Sequence, residues 1–141
     1  MSIPVILSIR GQQAYTGQEP DVIELVTDGT LEKTERGWSI GYDESSLTGL
    51  EGVHTTFEVE REGVTLTRTG KLRSSMVFRE GISHDSLYQM EFGALMITVC
   101  ATKIRHDLSE KGGVVDLKYT IEVEQSAAGT VDYHLKIRPK K

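Results

Sequence analysis

No stretch of this chain approaches the 18 or more consecutive apolar residues that a bilayer-spanning helix needs, so no membrane association is expected. The apolar run Ile3 to Leu7 is too short for the core of a secretory signal, and Arg10 stands where a cleavage site would follow. There is one cysteine, Cys100, which excludes an internal disulfide and removes any need for an oxidising compartment. The expected location is the cytoplasm. Basic charge is also scarce: the formal net charge is −5, the wrong sign for a protein that grips phosphate backbones. Nucleic acid is therefore not an expected partner, and the basic cluster Lys136 to Lys141 reads as a solvated tail.

The motifs of known chemistries are missing too. His54, His84, His106 and His134 show no HxH or HExxH spacing, and with a single cysteine a structural zinc site is not expected. His84-Asp85 is the one pair reserved for a loop at a barrel mouth, beside Tyr88. There is no GxSxG, GxxxxGK[ST] or GxGxxG, and Gly49-Leu50-Glu51-Gly52 precedes no helix that could direct a dipole at phosphate. Asp43 to Gly49 is rich in oxygen but lacks the ligand spacing of an EF-hand loop. No cofactor, metal or catalytic residue is indicated. Among paired carboxylates only Glu44 and Glu91 are available, and Glu91 is out of phase with Tyr88, Met90 and Phe92.

What the chain has is alternation. Three prolines against 14 glycines suit many strands joined by tight turns. Val115, Leu117, Tyr119, Ile121 and Val123 alternate with polar residues. After the turn-forming Ser126 to Gly129, so do Val131, Tyr133, Leu135 and Ile137, which together predict a half-buried antiparallel hairpin. The same period places strands at Val5 to Ile9, Val22 to Val26 resuming at Thr30 to Thr34, Trp38 to Tyr42, Val53 to Val59, Val64 to Arg68 and Arg73 to Arg79. Gly29 predicts a bulge or sharp bend, and Glu62-Gly63 a tight turn with positive φ. From Leu87 to Ile104 the apolar phase slips at Gly93, through either a bulge there or two separate strands. Asp107 to Glu110, stopped by Gly112-Gly113, predicts one helical turn near 107–111.

The expectation is one all-β domain over 1–141, with about 8 to 10 strands in a closed or nearly closed antiparallel barrel, since closure removes exposed edges. Two charges break its pattern. Glu44 continues the face of Trp38, Ile40 and Tyr42, while Arg68 continues that of Val64 and Leu66. A lone buried charge costs several kcal/mol, so each needs a partner. They either plug one end of the barrel, or line a polar cavity with Tyr42, Tyr88 and Tyr119, or have passed the rim into water. The candidate ligand-binding residues are thus Arg68, Glu44, Tyr42, Tyr88 and Tyr119. The partner expected is a small molecule in the barrel mouth. The alternative is a filled barrel acting as an interaction or self-associating module, as a homo-oligomer or through the loop Ser45 to Gly52.

Tyr42-x-Glu44, Thr48-Gly49, Thr55-Thr56, Arg68-x-Gly70, Met76-x-Phe78-x-x-Gly81, Tyr88-x-Met90-x-Phe92-Gly93, Leu108-x-x-x-x-Gly113 and Leu117-x-Tyr119 resemble, in order, the YwiB family. This is a family of small uncharacterised bacterial proteins with a domain of unknown function. The resemblance implies a lipocalin-like, or calycin, barrel and brings no activity, ligand or catalytic residue. The GxW opening of secreted lipocalins is not met, because Gly37-Trp38 lacks the intervening residue.

Overall fold

The computed structural model describes residues 2–15, 19–45, 51–91, 93–124 and 126–140. Alternating apolar and polar residues fold into ten strands. These are β1 (Ser2–Tyr15), β2 (Asp21–Lys33), β3 (Gly37–Asp43), β4 (Val53–Glu60), β5 (Gly63–Gly70), β6 (Ser74–Phe78), β7 (Ser83–Met90), β8 (Gly93–Ser109), β9 (Gly112–Val123) and β10 (Ser126–Pro139). All ladders are antiparallel, in the order β6-β5-β4-β3-β2-β1-β10-β9-β8-β7. Every neighbour is consecutive in sequence except β1 and β10, which join the ends of the chain from Val5↔Pro139 to Tyr15↔Gly129. The result is an up-and-down barrel, nearly closed.

Its seam lies between β6 and β7. There Arg73 and Gln89 exchange both backbone bonds, at 2.9 and 2.8 Å, and Gly81 N donates to Ala101 O at 2.9 Å. The turn between the strands is fixed by Glu80, whose Oε2 accepts from Ile104 N at 2.7 Å. Between these two points no ladder joins β6 to β7, so the seam is the weakest part of the wall.

Because the strands run alternately up and down, the C-terminal ends of the odd strands and the N-terminal ends of the even ones share one end of the barrel. The opposite end is filled. Val5, Leu7, Leu31, Ile40, Phe57, Val59, Val64, Leu66, Phe78, Leu117 and Leu135 are all buried there, in one continuous core. Period two places them inside, and their burial drives closure.

Several local expectations are corrected. The helical turn near 107–111 does not form: β8 continues to Ser109, Leu108 pairs with Gly113, and the chain turns at 110–111. One helical turn has a costly nucleus, whereas extension keeps Ile104 and Leu108 packed against the core. There is no bulge at Gly93. Met90 pairs with Gly93 at the end of a hairpin, so the phase slip marks two strands. The bulge of β8 lies instead between Ala101 and Lys103, where Thr102 is the extra residue and its Oγ1 donates to Lys118 O at 3.2 Å.

Gly29 carries no bulge, since β1 and β2 pair without a shift from Ser2↔Glu32 to Gln13↔Asp21. It is needed for close approach: a Cβ there would lie 2.7 Å from both Gly41 O and Leu7 Cδ1. Neither Glu62 nor Gly63 has positive φ. Gly63 serves the same purpose as Gly29, since its Cβ would fall 2.1 Å from Phe78 O. Ser126 to Gly129 belongs to β10, with a register shift between Ala127 and Gly129 rather than a turn. His84 and Asp85 lie in strand β7, not in a loop. Both are exposed, and Asp85 Oδ1 accepts from Thr98 Oγ1 at 2.7 Å.

Candidate functional site

At the open end the inward positions turn polar. Ladder pairs Tyr42↔Thr55, Thr55↔Arg68 and Arg68↔Ser74 run across β3, β4, β5 and β6 as one row of interior residues. Beneath it lies an aromatic layer. The Phe78 and Tyr119 rings are 4.5 Å apart, and Phe57 meets Tyr133 edge-on at 6.1 Å and 78°. Of these rings, Tyr119 and Tyr133 line a cavity of about 320 Å3. Its walls are mixed: Ile9, Leu25, Met76, Ile97 and Val131 beside Tyr42, Glu44, Arg68, Tyr88, Tyr119 and Tyr133. This size falls at the lower end of small-molecule pockets.

The structure therefore brings together all five residues singled out in the sequence, on one cavity. It also adds Tyr133 to the cavity wall and Thr55 as the hydrogen-bond partner of Glu44, while Ser74 lies inward on β6 without lining the cavity. Tyr133 was legible only as part of the packed face of its strand, since a tyrosine in phase with Val131 and Leu135 reads as core. Thr55 and Ser74 carry no sequence signal stronger than their inward phase. Glu91 stands at the turn after β7, exposed, and is not part of the site. Of the oxygen-rich segment at 43–49 and the loop at 45–52, residues 46–50 lie outside the described residues.

The two charges are held differently. Glu44 Oε2 accepts a 2.5 Å hydrogen bond from Thr55 Oγ1, and the Tyr42 hydroxyl donates to the same carboxylate. Charge-assisted bonds of this kind are roughly twice as strong as neutral ones. Burial first, and then the negative charge of Glu44, push the Tyr42 phenol far above its ordinary range, so it remains a donor. Arg68 is 8% exposed and touches phenol oxygens. Its Nη2 donates to the Tyr133 hydroxyl at 3.5 Å, and a second bond goes to Tyr88. Burial would lower the guanidinium pKa, but Tyr133, Tyr88, Glu44 and Tyr42 more than offset it, and the side chain stays cationic. None of the ion pairs among the described residues includes Arg68; they join His54 to Asp43, His134 to Asp116 and Lys140 to Asp28. Burial likewise raises the Tyr88 phenol, against the lowering effect of Arg68.

A second space lies outside the cavity, over the seam. Arg68, Arg73, Ser74, Ser86 and Gln89 border a cleft of about 550 Å3. Arg68 lines both spaces and stands between them.

Fold and site together define an up-and-down ten-stranded barrel, packed at one end and hollow at the other, with a buried cation in the hollow. The chain belongs to the family described as a domain of unknown function, DUF1934, whose pattern matches residues 7–137. It is similar to the uncharacterised β-barrel protein YwiB of Bacillus subtilis strain 168, at 27% identity over 120 residues, spanning 85% of this chain and 82% of that protein. The crystal structure of YwiB from Bacillus subtilis superposes with a TM-score of 0.87, over 99% of this chain and 94% of that one, at 22% identity. That likeness is one of fold.

Proposed function

We propose that the barrel binds a small ligand in its open half. The supporting observation is a cavity whose wall holds a buried guanidinium that enters no ion pair among the described residues. A barrel built only for stability gains by exchanging such a charge for a packed apolar side chain. Keeping it in a cavity with convergent hydroxyls suits recognition. The up-and-down topology supports a calycin-like kinship, in which a barrel's interior is the binding place; this support is an analogy of fold. The cytoplasm is the proposed location, with support from the free thiol of Cys100 and the charged outer faces of strands such as β9, where Asp116 and Lys118 point outward.

Native mass spectrometry of protein purified from its own cell extract tests the reading. A bound mass released on denaturation is the expected result. An experimental structure in which side chains close the interior around Arg68 would contradict it. Self-association is a second reading. It is favoured by Leu87 and Met96, which oppose each other on the outside of β7 and β8 with more than a third of their surface exposed. Light scattering that gives only monomer at high concentration would remove it.

A further inference from the structure

Among the described residues, two buried side-chain polar atoms have no hydrogen-bond partner: Arg68 Nε and Ser74 Oγ. They belong to residues directly opposite each other on β5 and β6, at 8% and 7% exposure. Both can donate, and an acceptor would satisfy either. Buried polar groups in folded proteins are nearly always paired, so each orphan calls for a partner; Ser74 borders the cleft over the seam, whereas Arg68 also lines the cavity. Resting on the reading that the cavity takes a small ligand, we propose that the ligand is a monocarboxylate with an apolar body, seated by its carboxylate on the Arg68 guanidinium.

Each part of that description has its own source. The fork of a guanidinium matches the two oxygens of a carboxylate, with parallel N–H bonds that an ammonium cannot copy. Arg68 is the cation of this cavity, and Glu44 on the same wall repels a second negative charge, which disfavours dianions such as phosphate. The rest of the wall, from Ile9 and Leu25 to Met76, Ile97 and Val131, is apolar and offers an aliphatic or aromatic body a dry surface. The Arg68 bond to Tyr133 is at the outer limit of length, so a rotation that turns the Nε edge toward an incoming oxygen gives up little there, with the Tyr88 bond the other contact to rearrange.

Calorimetric titration of the full chain with hexanoate, 1-hexanol, hexylamine and inorganic phosphate tests this. Hexanoate is expected to bind at least about tenfold more tightly than the other three, the scale of one charge-assisted bond set. In Arg68→Met that preference disappears, while hexanol binding is retained. Arg68→Lys, which keeps the charge but lacks Nε, recovers only part of it. Equal binding of hexanol and hexanoate would overturn the proposal while leaving a ligand cavity in place. Preference for hexylamine would make Glu44 the anchor, and preference for phosphate would reject the single-charge argument; either overturns it. Absence of binding by all four also overturns it, and the native mass measurement then decides separately whether the cavity holds any ligand.

Discussion

Glu44 and Arg68 share one cavity wall and are stabilised by opposite chemistry, donors for the carboxylate and phenol oxygens for the guanidinium. Thr55 is the short bond of the set. In Thr55→Val the carboxylate loses its short donor, and stability should fall by about 1–3 kcal/mol in urea denaturation. A loss near zero would mean that Glu44 is satisfied elsewhere. The phenols give a pH signature. Folded Tyr42 and Tyr88 have pKa values raised above 10.0, chiefly by burial, while the same groups ionise near that value once unfolded. Above pH about 10 the unfolded chain therefore holds fewer protons than the folded one, and stability falls as pH rises; below it these groups add no slope. Phenolate absorbance should show that part of the five tyrosines ionise only as the chain unfolds. Reversible titration of all five in the folded protein would contradict the burial argument. At this scale the sequence was informative because period two is strict. A charge in phase with apolar neighbours must be inside or at a rim, which singled out Glu44 and Arg68. Tyr133 escaped because its phase and its apolar ring are what core residues show, and only its place beside Arg68 gives the hydroxyl a role.

Elements were legible where alternation was unbroken and illegible where two local signals competed. The β9–β10 hairpin follows from its pattern, yet its turn comes earlier than the Ser126 to Gly129 stretch suggests, since Val123 already pairs with Ser126. At 107–111 a capping pattern competed with strand pairing, and pairing prevailed because it buries Leu108. In β8 the extra residue is Thr102, and the signal for it was the move from Ile97, Val99 and Ala101 to Ile104 and Leu108, an odd phase becoming even. Glycines misled most. A sequence shows that a glycine is present but not whether it is there for a torsion angle or for space. Gly63 is there for space. In Gly63→Ala the new methyl meets Phe78 O, the β5–β6 ladder must open, and the melting temperature should fall with a loss of about 1–3 kcal/mol. An unchanged melting temperature would show that the strands have room to part.

The whole molecule divides across its axis. One half is a packed core of the kind that alternation predicts; the other carries a cavity, a cleft at the seam and the guanidinium that separates them. The division follows from strand direction: inward positions that are apolar at the closed end become Tyr42, Thr55, Arg68, Ser74 and Tyr88 at the open one. Whether that polar half exists for binding or for support turns on Arg68. A strut is strongly destabilising to remove, whereas a charge kept for a ligand is one the empty protein is better without. The direct measurement is chemical denaturation of ligand-free protein and its Arg68→Met variant. The variant is expected to be as stable as the parent or more so, by up to about 1–2 kcal/mol. A loss of about 3 kcal/mol or more would make Arg68 a structural plug and contradict the account.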